Sequence, residues 1–340
     1  MMMQSEMGKK NRKRQPSLQS EMNTEIEKSQ SQPPLLLTIH YTQHKLTVYR
    51  PLEGKTHTLE CIPVLVHKYI LASTHGWLVL VDMFQGDCIL WNASSKDTIK
   101  LPKLQDFRLY KKCVLSKPPT EPDCHILFIA PGASQQAFCK IGDVEFVYIE
   151  EESGLTAITF FQGKIYGVIC PGFKFVTIEF VGTTIEFRPI LLDGEQHWEA
   201  PVVKKNWILW HDINLINSLS GNELFLVIKD FSNDSIMDGS EIRVFRVDIN
   251  RMECIEIDDL GDEVILIGQY GSGFCCSSNG TNTFKPNSIY YIVNYSSCVY
   301  VHDLDDKGTT SWVPHDVSLQ FFNQLLNHFW LDLKVEELSR

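Results

Sequence analysis

The chain has 340 residues, of which 44% are hydrophobic and 21% charged, the proportions of a soluble globular protein. A domain of about 300 residues buries roughly 75% of its unfolded surface, so neither disulfides nor a metal are needed to hold its core. A net charge of −11 argues against a nucleic-acid binder, which needs a basic footprint.

Residues 1–34 are rich in Gln, Ser, Glu and Lys and end in Pro33-Pro34. They bury too little to offset their ordering entropy and read as a disordered tail. The tail lacks the apolar core of a signal peptide. Its basic run, Lys9-Lys10-Asn11-Arg12-Lys13-Arg14, has the composition of a nuclear-import signal, which leaves cytoplasm and nucleus both open.

From Leu35 to Pro314, short apolar runs alternate with turn residues at intervals of about 8–12 residues, the pattern of an all-β sandwich, barrel or propeller. Taken in fours, these runs repeat. Lys68–Ser73, Gly76–Val81, Cys88–Asn92 and Thr98–Pro102 make the first complete set. Arg108 to Glu150, Leu155 to Ile190, Trp207 to Ile257 and Val264 to Val313 supply four more sets. Their spacing is roughly 40–50 residues, the length of a four-stranded blade. An opening group (Leu35–His40, Lys45–Tyr49, Thr56–Glu60) has three strands. The expectation is an all-β propeller of about six four-stranded blades over 35–315, its incomplete blade closed by strands from both chain ends. Trp77 and Trp91 are expected to pack between blades.

Residues 316–340 change character. Leu319, Phe322, Leu325, Leu326, Phe329 and Leu333 recur at three- and four-residue steps, which predicts a C-terminal amphipathic helix.

Chemistry-bearing motifs are sparse. Gly54-Lys55-Thr56 lacks the first glycine of a phosphate loop, since position 49 is Tyr49. Gly271-Ser272-Gly273 lacks the outer glycines of a nucleophile elbow and reads as a turn before a strand. None of the ten cysteines forms a Cys-x-x-Cys pair, and Cys275 and Cys276 are adjacent. Cys61, Cys88, Cys139, Cys170 and Cys298 sit in apolar runs as small hydrophobes of a reducing compartment. The pairs His211-Asp212, His302-Asp303 and His315-Asp316 diverge on an extended chain. No catalytic residue, metal or cofactor is expected. The longest apolar run, Ile62 to Val81, is broken by His67, Lys68 and His75, so no membrane span is expected.

Ser73–Leu104 carries a resemblance: His-Gly-Trp-Leu-Val-Leu-Val-Asp, an Asn-containing strand, then Ile-Lys-Leu-Pro. So do Ala137-Phe-Cys-Lys-Ile-Gly-Asp143, Ile158 to Gly167, Asn222 to Val227, Arg243 through Gly268 and Asn287-Ser-Ile-Tyr-Tyr291. In this order the motifs resemble the plant F-box-associated β-propeller family of unknown function, which includes the KIB-type propellers. The resemblance implies a propeller and, for many members, a substrate-receptor role in a Skp–cullin–F-box ubiquitin ligase. Residues 1–34 are too short and polar for an F-box, which puts a Skp-type adaptor in doubt. The family offers no catalytic residues.

What remains is a surface. Loops after the second and fourth strands of each blade share one end of the ring, and here they carry Glu150, Glu151, Glu152, Asp193, Glu195, the 230–241 segment, Asp258 and Asp259. The expectation is a non-enzymatic interaction module that takes a basic protein partner on this rim. Two alternatives stay open: a ligase receptor recruited through another segment, and an enzyme with residues gathered at the central channel. The mostly apolar candidates for inner strands (Lys68–Ser73, Leu155–Phe161, Val264–Gln269) count against the enzyme.

Overall fold

A computed structural model describes residues 34–40, 45–51, 54–60, 62–131, 135–150, 154–170, 173–193, 211–230, 241–268, 273–278, 284–292, 298–313 and 326–331. The tail 1–33, including Lys9–Arg14, lies outside them, as do Glu151, Glu152, the 231–240 loop and most of 314–340.

Among the described residues, 25 strands fall into six sheets and there is no α-helix. Blade I combines β1 (Leu35–His40), β2 (Lys45–Arg50) and β3 (Lys55–Glu60) with the last strand, β25 (Leu326–Leu331). Blade II is β4 (Lys68–Thr74), β5 (Trp77–Asp82), β6 (Cys88–Asn92) and β7 (Thr98–Lys100). Blade III is β8 (Lys112–Leu115), β9 (His125–Ile129), β10 (Gln135–Lys140) and β11 (Val147–Glu150). Blade IV is β12 (Gly154–Phe161), β13 (Lys164–Cys170), β14 (Lys174–Val181) and β15 (Thr184–Pro189). Blade V is β16 (His211–Asn217), β17 (Leu224–Asp230), β18 (Glu241–Asp248) and β19 (Glu253–Ile257). Blade VI has five strands, β20 (Glu263–Ile267), β21 (Gly273–Ser277), β22 (Ser288–Ile292), β23 (Val299–Asp303) and β24 (Thr309–Trp312), in the order β21-β20-β22-β23-β24. Neighbouring sheets adjoin through β25, β4, β8, β12, β16 and β21, the inner strands around the channel.

The apolar runs follow from this packing. A middle strand has a blade on either side, so both faces are buried and the period-two signal disappears. In β5, Trp77, Val79 and Val81 pack with Leu115, Ile126 and Phe128 of blade III. Leu78 and Leu80 point the other way, to Leu35, Leu37 and Val48 of blade I, and Trp91 joins them. Both tryptophans therefore sit between blades, as expected. The outer strand β15 runs exposed, buried, exposed, because one of its faces meets water. The ring closes between blades VI and I, where Leu36 packs with Val264, Leu266 and Tyr290. There the rings of Tyr49 and Trp312 lie 4.9 Å apart.

Short polar turns recur between strands. Asp82 Oδ1 accepts from the amides of Phe84 and Gln85, Asn92 Oδ1 from Ser94 and Ser95, and Asp248 Oδ1 from Asn250 and Arg251. In the first of these turns Gly86 has φ +77°, and a Cβ there meets the Leu104 carbonyl oxygen and lies 2.9 Å from Phe107 Cδ1. Gly86→Ala is therefore expected to lose about 1–2 kcal/mol from the left-handed backbone alone, and more from the clash. Urea melts would show it; an unchanged midpoint would mean that the turn relaxes freely.

Two expectations are corrected. The predicted C-terminal helix is not present over 326–331, which form β25, paired antiparallel with β1 from Leu35↔Leu331 to His40↔Leu326. The reason is topological. A three-stranded opening group leaves the backbone groups of β1 without partners along the channel, and a strand supplies them where a helix does not. The second correction concerns blade VI. Val264–Gln269 was expected to be its inner strand, but β21 takes that place, and β20 runs second, parallel to β22 (Leu266↔Tyr290). Gly273 makes this possible: a Cβ there would sit 2.7 Å from the Leu266 carbonyl oxygen and 3.0 Å from Ile216 Cδ1.

Candidate functional site: the central channel and the outer rim

An inner strand is an edge strand, so carbonyl groups on its channel side lack a ladder partner. At one end of the channel Lys112 of blade III meets that need on blade V, reaching past blade IV. Its Nζ donates to the Ile213 carbonyl, to Asn214 Oδ1 at 3.1 Å and to Asp212 Oδ1 at 3.4 Å. Asp212 also takes Lys229 Nζ at 2.7 Å from the paired position on β17. Lys229 lies in turn over the Tyr291 ring of blade VI, 5.0 Å from its centroid.

This cluster is deep. Lys112 is 9% and Lys229 1% exposed, and Asn214 1%. The Asp212 side chain is surrounded by protein yet 31% exposed, as befits a group facing a narrow lumen. Burial by itself would raise the Asp212 carboxyl, but the ammonium groups of Lys229 and Lys112 outweigh it and hold the carboxyl below the usual carboxylate range. Burial pulls the Lys112 ammonium down, with Asp212 opposing part of that shift.

Beyond Lys112 the channel widens into a chamber of about 290 Å³ between β4, β8, β12, β16 and β21. Both β4 and β12 bulge here, at Ile70/Ala72 and Leu155/Ala157. Cross-blade contacts narrow the far end. Thr159 Oγ1 donates to Asn217 Oδ1 at 3.3 Å, and Asn217 Nδ2 to the Phe160 carbonyl at 3.1 Å. His75, at φ +51°, sets its ring edge-on to Phe160 at 5.0 Å.

The sequence reading missed this cluster. Lys112 and Asp212 are 100 positions apart, and only the curvature of the ring joins them. The available signal was a charged residue inside an apolar run, as in Leu-Phe-Leu-Val-Ile-Lys229. The thiols, by contrast, behave as read. None of the nine described cysteines is in a disulfide and most are buried, Cys61 lying outside the described residues; burial pushes Cys88 up to about 12 and Cys170 to about 11. Among the described residues no group of three or more His, Cys, Asp or Glu is placed to hold a metal.

The rim carboxylates are placed as follows. Glu150 ends β11 and is exposed. Asp258 and Asp259 follow β19 and are exposed, with Asp259 Oδ1 capping the Gly261 amide and the Asp258 carbonyl taking Asn287 Nδ2. The two groups stand on blades III and V. Asp193 is bound to the outer strand of blade V, its amide donating to Met252 O and its carbonyl accepting from Cys254 N. Glu151, Glu152, Glu195 and the 231–240 loop lie outside the described residues.

Six blades, inner strands around a channel and closure by the last strand define a β-propeller. The family model of the KIB1-4 beta-propeller matches residues 48–323, and the chain belongs to that family. No sequence among curated proteins matches it. Similar solved structures include a nidogen/laminin complex (12% identity, 83% of this chain and 94% of that chain, TM-score 0.42). Another is a hydrazine synthase of Kuenenia stuttgartiensis (10% identity, 80% and 90%, TM-score 0.40). Among the described residues no helix is long and apolar enough to cross a membrane.

Proposed function

We propose that this propeller is a non-enzymatic interaction module that holds a basic protein partner against its carboxylate-bearing rim. The observation that carries the reading is the exposure of Glu150, Asp258 and Asp259 at the ends of outer strands, on a chain of net charge −11. Exposed carboxylates at strand ends raise the on-rate and fix the orientation of a basic surface, at little cost to the scaffold. The Lys9–Arg14 run, with the composition of an import signal, extends the reading to a nuclear partner.

Charge reversal tests it. Changing Glu150, Glu151, Glu152, Asp258 and Asp259 to Lys is expected to abolish affinity capture of the partner identified with the native chain, while circular dichroism and melting stay unchanged. Capture that survives the reversal removes the rim from the interface. Co-purification of a Skp-type adaptor with the native chain would instead assign it to a ligase.

A further inference from the structure

Four exposed hydroxyls among the described residues have a carboxylate three positions on: Ser94 with Asp97, Thr120 with Asp123, Thr183 with Glu186 and Ser220 with Glu223. That spacing suits an enzyme whose cleft is basic, but it does not choose among the four. The backbone does. A hydroxyl that is to enter another protein's cleft has to bring its neighbours off the surface with it, which loop tips do and tight turns resist.

Three of the four are held in tight turns. Asn92 Oδ1 accepts from the amides of Ser94 and Ser95. Ser220 Oγ lies 3.0 Å from Ser218 Oγ and accepts from the Asn222 amide. Thr183 belongs to the short hairpin between the paired residues Val181 and Thr184. Thr120 differs, because it stands in the loop 116–124 between β8 and β9. The base of that loop is closed: the Ser116 amide donates to the His125 carbonyl at 2.9 Å, the His125 amide to Ser116 Oγ at 2.9 Å and Cys124 Sγ to the Lys117 carbonyl at 3.1 Å. Above the base the Glu121 amide donates to the Pro118 carbonyl at 3.0 Å. Pro118, Pro119 and Pro122 have no amide proton to add, so the tip joins no ladder. Glu121 follows Thr120 directly and is exposed, as is Asp123. Asp123 pairs with Lys140 at 2.5 Å, but the two side chains are 68% and 45% exposed, and a pair so open to water gives way to a cationic cleft.

We propose that Thr120 is the phosphorylation site of an acid-directed Ser/Thr kinase, with Glu121 and Asp123 as the recognised carboxylates. Thr120 Oγ bonds to the γ-phosphorus of ATP and the bond from that phosphorus to the β–γ bridging oxygen breaks. ADP leaves, and the hydroxyl proton passes to the kinase. The product carries about 1.5 to 2 negative charges at pH 7. It stands at the opposite end of blade III from Glu150, because β8–β9 and the end of β11 lie at opposite ends of an antiparallel blade. The proposal is therefore independent of the rim. Burial lowers the His75 imidazole and Glu121 opposes that shift, so charge added at this loop reaches the narrow end of the channel.

The test incubates the full chain with casein kinase II and ATP and maps phosphopeptides by mass spectrometry, which separates Thr120 from the hydroxyls of the tail. Thr120 is expected to be modified at least about tenfold faster than Ser94, Thr183 or Ser220, whose turns have to open first. Glu121→Gln combined with Asp123→Asn is expected to slow Thr120 at least about tenfold by removing the charges the cleft recognises. Both positions are exposed, and Asn suits the left-handed backbone at 123 (φ +58°). A misfolded variant would be modified faster, so a slower rate reports the carboxylates. An unmodified Thr120 overturns the proposal. So do equal rates at the four positions, faster modification of any of the other three, or a Thr120 rate that the double variant leaves unchanged.

Discussion

Replacing Asp212 by Ala is expected to destabilise the propeller by about 3–5 kcal/mol, the cost of leaving buried charge without its partner. The change removes the carboxylate that both the Lys112 and Lys229 ammonium groups contact, at 10% and 2% side-chain exposure. For a domain of this size each kcal/mol moves the melting temperature by about 2–4 °C, so a drop on the order of 10 °C is expected in a thermal scan. The triple variant Lys112→Met, Asp212→Leu, Lys229→Met separates charge from shape. Apolar replacement of a whole buried cluster is commonly neutral or stabilising, so the triple variant should melt close to the native chain. A triple variant as unstable as Asp212→Ala would show that the cluster matters for its hydrogen bonds across the channel rather than for charge balance. Acid titration gives a second check. The Asp212 carboxyl lies lower in the folded state than in the unfolded one. Its contribution is therefore complete above an unfolded value of about 4 and is lost as pH falls through the folded value. Asp212→Asn should flatten the stability profile below about pH 4 and leave its slope near neutrality unchanged.

The channel cluster and the C-terminal strand were hard to read for different physical reasons. Blades II to V were legible because each is local. The apolar run Trp77–Asp82, the turn Asp82 to Gly86 and the strand Cys88–Asn92 are adjacent in the chain and in space. The double-sided burial of β5 marks a strand with a blade on each side, and its length fits a blade rather than a helix. Lys112 has no such local signature. It ends in contact with Asp212 because two inner strands separated by a third curve around one axis, and neither neighbourhood in sequence records that. Asp212 stands beside His211, but neighbours on an extended chain diverge. The group that matters is Lys229, its cross-strand partner. In blade VI, the parallel pairing of β20 with β22 needs a connection that contains β21, and a reading in antiparallel fours cannot express it. At the C-terminus two expectations competed. Closure by both chain ends required a strand, while the spacing of Leu319 to Leu333 favoured a helix. The backbone partners owed to β1 decided between them.

Deleting residues 326–340 is expected to open the ring. β1 would lose all six of its partners on β25, Leu35↔Leu331 to His40↔Leu326, and become an inner edge held only by β2. The loss extends beyond blade I because β25 also adjoins β4. A closed ring has one more interface than an open stack of the same blades, so opening it turns a cooperative unit into a linear array that frays from its ends. Hydrogen exchange should therefore accelerate most in Leu35–His40 and Lys68–Thr74, while Leu224–Asp230, in blade V away from the opening, keeps its protection longest. An exposed inner edge is also a template for pairing with another copy, so the truncated chain should elute as higher oligomers. A synthetic peptide of residues 322–335 added in trans supplies the missing strand by β-augmentation and should restore both protection and monomeric elution. A truncated chain with native exchange rates would show that blade I holds as three strands and that closure rests on the packing of Leu36 with Val264, Leu266 and Tyr290. The location of the effect distinguishes the two: slowest recovery in β1 points to the backbone seam, and equal loss in β1 and β22 points to the apolar junction.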